Sequence, residues 1–261
     1  MKPLLVNVGN TCTTLARPGR AGAVTVLDRR AGGYAAEPTL AARLVARLLA
    51  EQRFDDAIVC SVVPAQTEFW VRVLGEALGR GPMLLNSSLD LGVTVNCRSP
   101  ARIGADRLAD VCAAVHIHGS PVLAVDIGTA ATFNLVTRGS VFVGGAIAPG
   151  PALFAEYMAA RTAQLPLVPL PAGRVPRFGR DTQAAMQLAL RVGYPAMVDA
   201  LAGHISGGVP GMKRVVITGG YARWVGPKCR ISHVVDPLLT LRGIARAYEL
   251  NAARRAARSG G

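Results

Sequence analysis

Two glycine-containing turns, each placed after a buried apolar run, carry residue types that can bind phosphate. The first is NVGNTCTT at residues 7–14, and the second is DIGTAATF at residues 126–133. Glycine lets the backbone come close to a bulky anion, while turn N–H groups and Thr hydroxyls can donate hydrogen bonds to phosphate oxygens. No GxxxxGKS/T sequence occurs and both turns lead into β-rich runs, so neither is a Walker loop. We expect two such turns, facing each other across a cleft, to hold the phosphates of a nucleotide.

The two turns differ at their first residue, which is Asn7 in one and Asp126 in the other. A loop that handles a metal-bound nucleotide usually has a carboxylate here, and Asn offers an acceptor oxygen without the negative charge. A carboxylate at the end of a buried strand is costly unless it meets a cation or several donors. The sequence therefore predicts such partners for Asp126 and leaves open whether the first turn supports turnover.

A third glycine element, RVVITGGYA at residues 214–222, is predicted as a strand that ends in Thr218, Gly219 and Gly220. Two glycines at a strand end allow a flat base or a ribose to pack on the backbone. A single TGG is usually only a turn. Its position after two phosphate-type hairpins strengthens the interpretation as part of a nucleotide site.

The segments around the two turns contain the same order of predicted elements, which indicates a duplicated βββα unit. Residues 3–27 and 121–145 each contain an apolar strand, a turn, a second β-rich run, a second turn and a third strand. Apolar residues at helical spacing follow in both copies, over residues 38–52 and 150–165. The copies are 119 residues apart, which suits two similar domains rather than a solenoid.

Composition is consistent with two α/β domains. The 261 residues are 51% hydrophobic, 17% charged and 5% aromatic, which allows a substantial core and suits α/β layers better than an aromatic-rich sandwich. We predict an N-terminal domain at 1–118 and a C-terminal domain at 119–261. The net charge of +13 at pH 7 indicates anionic small molecules such as nucleotides, or nucleic acid, as partners. No helix-turn-helix, zinc or RNA-recognition pattern supports the second possibility.

The cysteines and the apolar runs bear on the environment of the chain. Five cysteines occur without a CxxC pair, so we expect reduced, mostly buried thiols in a cytoplasmic protein. No apolar stretch reaches the roughly 20 residues that cross a membrane, and the N-terminal run stops at Val8 without a signal-peptide core. The densest basic segment, AARRAARSGG at residues 252–261, is interpreted as a solvated helix end with a frayed terminus.

The hairpins and the TGG element, in this order, resemble the actin-like ATPase superfamily, and the motifs between them resemble type III pantothenate kinase, the Bvg accessory factor family. The eight motifs are SVVP at 61–64, GADRLAD at 104–110, DIGTAATF at 126–133, GGAIAPG at 144–150, AQLPLV at 163–168, GRDT at 179–182, TGG at 218–220 and DPLLTLRG at 236–243. None is specific alone, but together they span almost the whole chain.

The resemblance implies an activity and a fold. The activity is the ATP-dependent phosphorylation of pantothenate to 4′-phosphopantothenate, the first step of coenzyme A biosynthesis. The fold class is α/β, with duplicated actin-like (ribonuclease H-like) domains, each a mixed five-stranded sheet with flanking helices, and a cleft between them. The family also implies a homodimer, Mg²⁺ with the nucleotide, and a monovalent cation, K⁺ or ammonium.

The resemblance further assigns roles to residues of this sequence. Asp106 corresponds to the general base, although an Asp in the first turn of a helix is also favoured by the helix dipole. Arg107 suits the carboxylate of pantothenate, although a surface Arg on a helix is an ordinary feature. Thr182 would contact pantothenate from the neighbouring subunit, and its local alternative is a helix N-cap. The full substrate-binding set is Cys97, Gly104, Ala105, Asp106, Arg107 and Thr182.

The nucleotide and cation contacts are assigned in the same way. The resemblance places the monovalent cation on Asp126 as the metal-binding residue. The ATP contacts are Asn7, Val8, Gly9, Asn10, Thr11, Cys12, Thr13, Thr14 and Thr129.

Four positions depart from the family pattern. Asn7 replaces an Asp, Cys12 replaces an Asn, Cys97 replaces a Tyr, and Asn134 replaces an Asp. The loss of charge at Asn7 weakens binding of a hydrated Mg²⁺. The loss of a phenol at Cys97 makes the substrate pocket roomier and less polar. Three functions therefore stay open: an active kinase, a catalytically impaired relative that binds nucleotide or pantothenate as a regulator, and a nucleic-acid-binding regulator.

Overall fold

The computed structural model describes residues 2–52 and 54–259 and separates into two compact units. The first unit comprises the described parts of Met1–Ile117, Ser140–Phe142 and Leu238–Gly261, and the second comprises His118–Gly139 and Val143–Pro237. The chain therefore leaves the first unit close to the boundary predicted at 118, but its C-terminal segment packs with the first unit. The domain limits 1–118 and 119–261 stay a prediction.

The first unit is built on a mixed sheet in the order β3-β2-β1-β4-β5. Strand β1 pairs antiparallel with β2 and parallel with β4. A further two-residue strand, β6, lies outside this sheet. The strands are β1 (Pro3–Val8), β2 (Cys12–Pro18), β3 (Val24–Ala31), β4 (Asp56–Ser61), β5 (Met83–Leu84) and β6 (Thr94–Val95).

Three helices of this part of the chain are α1 (Pro38–Gln52), α2 (Pro64–Leu78) and α3 (Ala105–His118). Helix α2 begins with Pro64 and ends at Gly79, whose φ of 67° allows the left-handed turn that stops a helix. The core contains Trp70, fully buried, with the rings of Tyr34 and Phe69 edge-on at 5.4 and 5.5 Å. Apolar side chains of β1, β4, α1 and α2 complete it.

The second unit repeats this order of elements. Its strands are β7 (Val122–Ile127), β8 (Ala130–Thr137), β9 (Val141–Pro149), β10 (Arg214–Thr218) and β11 (Val234–Val235). Strand β7 pairs antiparallel with β8 and parallel with β10. The sheet order is β11-β10-β7-β8-β9-β6, so it has six strands rather than the predicted five. The extra strand arises because β6 pairs with Val141 and Phe142, the start of β9, which belong to the first unit.

The helices of the second unit are α4 (Pro151–Arg161), α5 (Thr182–Leu188), α6 (Tyr194–Gly207) and α7 (Ala222–Val225). A π-helical turn, Ala189–Gly193, joins α5 to α6. The elements β1-β2-β3-α1 and β7-β8-β9-α4 confirm the predicted duplication of a βββα unit. Each copy ends in a helix that starts with proline, a residue favoured at the first helical position.

The last helix, α8 (Leu239–Ser259), belongs to the first unit. A Cβ atom at Gly243 would lie 1.8 Å from the carbonyl oxygen of Ala109, so glycine is required where α8 crosses α3. Farther along α8, the guanidinium of Arg255 donates two hydrogen bonds, of 2.6 and 2.7 Å, to the fully buried carboxylate of Asp56. The interpretation of the basic segment as a solvated, frayed end is therefore wrong for Arg255, whereas Gly260 and Gly261 lie outside the described residues.

The structure also bears on the expectations about thiols and membranes. None of the five cysteines, all within the described residues, forms a disulfide; Cys60 and Cys112 are buried and the other three are half-buried. Over residues 2–52 and 54–259, no helix combines the length and the apolar character needed to cross a membrane.

Candidate active site

The first hairpin contains all of the residues expected to contact ATP except Thr129. Asn7 lies opposite Thr14 in the antiparallel pair of β1 and β2. Three residues, 9–11, connect the strands, and a hydrogen bond of 3.0 Å from the N–H of Gly9 to the carbonyl oxygen of Cys12 closes the turn. Asn10 and Thr11 are exposed at its tip, so their polar groups are accessible to a ligand.

The neighbouring Thr13 has a different role from the exposed tip. It is fully buried, and its hydroxyl lies 3.3 Å from Oε1 of Gln66 on α2, to which it donates. A Cβ atom at Gly33 would lie 2.2 Å from the same Gln66 oxygen, so glycine makes room for this contact. Thr13 therefore anchors the hairpin to α2, and the accessible donors are those of the turn.

The SVVP segment connects the hairpin to the GADR motif within the first unit. The N–H of Val62 donates to the carbonyl oxygen of Val8 at 3.1 Å. A Cβ atom at Gly104 would lie 3.5 Å from Cγ1 of Val62 and 2.5 Å from Oδ1 of Asp106. The absence of a side chain at Gly104 thus allows Asp106 to lie close to the strand end that carries the phosphate-type turn. The sequence identified Val62 only as part of a family motif and gave no sign of this packing.

Asp106 occupies the first turn of α3, as the sequence predicted. Its Oδ1 accepts a hydrogen bond of 2.7 Å from the N–H of Arg107. Burial raises the pKa of the Asp106 carboxyl above its usual range, and this effect outweighs the N–H and the positive charge of Arg107, which lower the pKa. A carboxylate with a raised pKa is a stronger base than an ordinary Asp, which suits proton abstraction near neutral pH.

Arg107 and Cys97 meet around Phe142, next to Asp106. The guanidinium carbon of Arg107 lies 5.6 Å from the centre of the Phe142 ring, within the range of a cation–π contact. The Cys97 thiol donates to the carbonyl oxygen of Phe142 at 3.7 Å. Burial raises the pKa of Cys97, whereas the charge of Arg107 lowers it, so the thiol stays protonated at neutral pH. Sequence reasoning missed Phe142, which no motif distinguishes from other aromatic residues.

The second hairpin belongs to the second unit and has a shorter turn. Asp126 lies opposite Thr132 on one side and Thr218 on the other. Residues 128–129 connect the strands, and the N–H of Gly128 donates to the carbonyl oxygen of Ala130 at 2.9 Å. Thr129 is exposed at the tip, and its carbonyl oxygen accepts a hydrogen bond of 2.9 Å from the N–H of Gly150.

The TGG element packs directly on this second hairpin. Gly219 has a φ of 94°, and a Cβ atom there would lie 2.1 Å from Oδ1 of Asp126. The N–H of Tyr221 donates to the carbonyl oxygen of Ile127 at 2.9 Å. The hydroxyl of Thr218 is buried and has no hydrogen-bond partner among the described residues. The carboxylate of Asp126 therefore faces the backbone of Gly219, where there is no side chain. The Thr218 hydroxyl, opposite Asp126 in the strand register, is available for a hydrogen bond.

Asn134 and Thr182 have local contacts that the sequence did not indicate. Asn134 is fully buried on β8, and its Nδ2 donates to the hydroxyl oxygen of Thr132 at 3.1 Å. Thr182 is exposed at the first residue of α5, but the N-cap of that helix is Asp181, whose Oδ1 accepts from the N–H of Ala184 at 2.8 Å. The interpretation of Thr182 as an N-cap is therefore wrong, and capping does not explain its hydroxyl.

The oxygen atoms at Asp126 suit a hard cation. The described residues contain no group of three or more His, Cys, Asp or Glu side chains that could hold a metal ion. Mg²⁺ in nucleotide enzymes does not require such a group, because substrate phosphates and water complete its ligands. The carboxylate of Asp126 and the hydroxyl of Thr218, which is opposite it in the strand register, are the oxygen donors for the monovalent cation that the sequence predicts at Asp126.

Comparisons with known proteins give a consistent result. The family model of type III pantothenate kinase matches residues 3–204. A type III pantothenate kinase from Moorella thermoacetica is 34% identical over 195 residues, 74% of this chain and 76% of the relative. One from Dehalococcoides mccartyi is 35% identical over 204 residues, 77% of this chain and 78% of the relative. A ROK family glucokinase from Streptomyces griseus, solved with glucose and AMPPNP, is 10% identical, with a TM-score of 0.54 over 96% of this chain and 99% of that chain. The last likeness concerns the fold alone and confirms the predicted fold class.

Proposed function

Because this chain belongs to the type III pantothenate kinase family, we propose that it transfers the γ-phosphoryl group of ATP to pantothenate, giving 4′-phosphopantothenate in the first step of coenzyme A biosynthesis. The observation that carries the proposal is the position of Asp106. A Cβ atom at Gly104 would meet both the Asp106 carboxylate and the Val62 side chain, and the N–H of Val62 donates to the carbonyl oxygen of Val8 at the end of β1, where the phosphate-type turn starts. The proposed base and the phosphate-type turn are thus connected by packed residues of the first unit.

Asp106 is the proposed general base. It accepts the proton of the primary hydroxyl of pantothenate as that oxygen attacks the γ-phosphorus. Phosphoryl transfer depends mainly on positioning and on charge stabilisation, so a carboxylate that accepts the proton late is sufficient. The raised pKa of Asp106 improves its basicity.

Arg107 and its neighbours form the proposed pantothenate contacts of the first unit. The guanidinium, placed over Phe142, offers a planar pair of donors to the pantothenate carboxylate. Gly104 and Ala105 keep the backbone close to the substrate, and the protonated thiol of Cys97 gives an apolar wall. Phe142 joins this set as a positioning residue for Arg107.

Each unit has exposed residues of its own that we propose as nucleotide contacts. In the first, the exposed N–H groups and side chains of Asn10 and Thr11 donate to phosphate oxygens, with Asn7 behind them. In the second, Thr129 is the corresponding exposed donor. When bound, Mg²⁺ neutralises charge on the transferred phosphoryl group. Asp126 holds the monovalent cation, K⁺ or ammonium, and the buried hydroxyl of Thr218 is a suitable second oxygen for it.

A homodimer is part of the proposal, with Thr182 contacting pantothenate in the partner subunit. The second unit exposes large apolar side chains that a second copy would cover: Ile147, Leu153, Phe154, Tyr157, Leu167 and Phe178. Sedimentation velocity at micromolar concentration is expected to give a dimer, and a monomer would contradict this part of the proposal. The free thiols are compatible with the cytoplasm as the location.

The impaired-regulator alternative is not favoured. The family match is to kinases, and the sequence has Asp106, Arg107 and Asp126 at the positions that we propose for the base, the anion contact and the cation. No described feature is particular to nucleic-acid binding, so the positive charge is assigned to anionic substrates.

The test is the Mg²⁺- and ATP-dependent formation of phosphopantothenate with K⁺ present. We expect the wild-type chain to turn over and Asp106→Asn to lower kcat by about 10²–10⁴-fold, because a positioned base contributes that much. Asp28→Asn on β3 is the matched control and keeps wild-type activity. No turnover by the wild type would overturn the proposed function, while wild-type kcat in Asp106→Asn would overturn only the role of the base.

A further inference from the structure

The second unit contains an open cavity of about 690 Å³ whose lining residues include none of the proposed ATP or pantothenate contacts. Four cationic side chains and one carboxylate line it together with apolar groups. The lining residues are Arg174, Val175, Arg191, Val192, Pro195, Ala196, Asp199, Pro227, Lys228 and Arg230. The volume lies within the range of roughly 300–1,000 Å³ that small-molecule sites occupy.

Separate elements bring the cations together. Arg191 lies in the π-helical turn Ala189–Gly193, and such turns occur often at functional sites. Its Nε donates to the carbonyl oxygen of Gly173 at 3.1 Å, which fixes the loop that carries Arg174. Lys228 ends the short helix Gly226–Lys228. The convergence of three segments on one cavity is a tertiary feature rather than a run of neighbouring charges.

The positive charge of the cavity is not balanced by its carboxylate. Asp199 accepts hydrogen bonds from the backbone N–H groups of Arg230, at 2.9 Å, and of Ile231, at 3.1 Å. These bonds use its oxygen atoms for the backbone, so the carboxylate is engaged in holding the chain rather than in pairing with a cationic side chain. Within the described part of the chain, Asp199 is the only acidic residue among the lining side chains.

The pKa of Lys228 is affected by its burial and by the positive charge of the cavity. Its Nζ lies 4.2 Å from the centre of the Trp224 ring and donates to the Trp224 carbonyl oxygen. Burial lowers the pKa of Lys228, and the positive charge of Arg191 lowers it further. Two cations held near each other are stabilised when an anion binds between them.

A second cavity, of about 390 Å³ in the first unit, shows the contrast. It is also lined by arginines, but Arg30 forms an ion pair with Glu37. Arg47 is 3.9 Å from a carboxylate oxygen of Glu51. Two of the four arginines of this smaller cavity thus have an acidic partner, whereas among the described residues no ion pair joins the four cations of the larger cavity to an acidic side chain.

We propose that the cavity around Arg191 and Lys228 binds the phosphate group of a small phosphorylated organic molecule. Arg174 and Arg230 complete the anion contacts, since guanidinium groups match phosphate oxygens in pairs. The apolar part of the lining, which includes Val175, Val192 and Pro227, contacts the organic part of the ligand. The site is additional to the catalytic contacts and does not depend on the proposed activity.

The test is isothermal titration calorimetry with phenyl phosphate, in the presence of saturating Mg²⁺, AMPPNP and pantothenate to fill the proposed catalytic site. We expect one equivalent to bind, and inorganic phosphate to bind more weakly because it leaves the apolar lining uncovered. Arg191→Gln and Lys228→Gln should each weaken phenyl phosphate binding about tenfold, as expected for the loss of one charge-assisted hydrogen bond. Arg230→Gln, whose side chain is exposed, should weaken binding without affecting the fold.

Arg43→Gln, in the cavity of the first unit, is the matched control and should leave the affinity unchanged. Equal affinity of the wild type, Arg191→Gln and Arg230→Gln would overturn the proposal. An equal loss in Arg43→Gln would overturn it as well, since binding would then follow net charge. Absence of binding once AMPPNP is bound would identify the cavity as part of the nucleotide site and would also overturn it.

Discussion

The two hairpins contain related turns that are held by equivalent backbone hydrogen bonds, but they differ in length and in packing. In the first, residues 9–11 connect the strands, and the N–H groups of Gly32 and Val62 donate to backbone carbonyl oxygens of the hairpin. In the second, residues 128–129 connect the strands, and the N–H groups of Gly150 and Tyr221 donate to the hairpin in the same way. The copy with the shorter turn is also the copy that begins with a carboxylate.

The packing around each hairpin bears on where a fixed charge can be held. A Cβ atom at Gly219 would lie 2.1 Å from Asp126, whereas one at Gly9 would lie 3.4 Å from the carbonyl oxygen of Cys12. The surroundings of Asp126 are thus closely packed and already oriented, which is the condition under which an electrostatic group is most effective. Asn7 occupies the copy with the longer turn, where an amide interacts with ligands without requiring a counter-ion.

The largest expected effect on activity comes from replacing Asp126 of the second hairpin with Asn, the residue at the corresponding position of the first. Asp126→Asn removes the only carboxylate at the two corresponding positions, so we expect kcat/KM for phosphopantothenate formation to fall about 10²–10³-fold. The dependence of the rate on K⁺ should weaken at the same time. Asp28→Asn, which removes a charge from β3, is the control. A rate within a factor of three of the wild type would show that the two copies do not differ in the way proposed.

The difference in packing predicts a difference in stability. Gly219→Ala introduces a Cβ atom at a left-handed φ and against Asp126, so we expect the free energy of unfolding to fall by about 3 kcal/mol. Gly9→Ala meets only an ordinary contact and should cost less than about 1 kcal/mol. Urea unfolding measures both. Similar losses of unfolding free energy in the two variants would contradict the difference in packing between Gly219 and Gly9.

A smaller effect is expected from making the first hairpin like the second. Asn7→Asp restores a negative charge at a half-buried position, so the Mg²⁺ concentration for half-maximal activity should fall about threefold to tenfold. Asn86→Asp, at an exposed position outside the proposed contacts, is the matched control and should leave the Mg²⁺ requirement unchanged because solvent screens its charge. An unchanged or increased Mg²⁺ requirement would mean that Asn7 does not face the metal-bound nucleotide.

Local patterns predicted the parts of the fold that depend on local rules. Helix α1 has the predicted bounds, Pro38–Gln52, because apolar spacing and a leading proline define it. Strand, turn and strand around each hairpin were recognised because the copy repeats the pattern. At α5, two adjacent residues, Asp181 and Thr182, both satisfy the rule for an N-cap, and only the backbone geometry selects Asp181.

Contacts between distant segments could not be predicted in this way. Asp56 and Arg255 are 199 residues apart, and nothing in either local sequence indicates that they pair. Strand β6 has two residues, too few for a periodic pattern, yet it adds a strand to the second sheet. Phe142 acquires its role only because β9 starts next to β6, which places its ring beside Arg107.

The smallest expected effect is a shift in the pH dependence of kcat/KM. Because the protonated carboxyl of Asp106 cannot accept a proton, activity falls as the pH drops through its pKa. Burial raises that pKa, so the acid limb should lie above the ordinary range of an Asp side chain. Arg107→Gln removes an opposing positive charge, and Asn7→Asp adds a negative charge to the same unit, so each should move the limb to still higher pH. Arg102→Gln, in an exposed turn, is the control and should leave the limb in place, whereas a shift to lower pH in Arg107→Gln would contradict the assignment of the limb to Asp106.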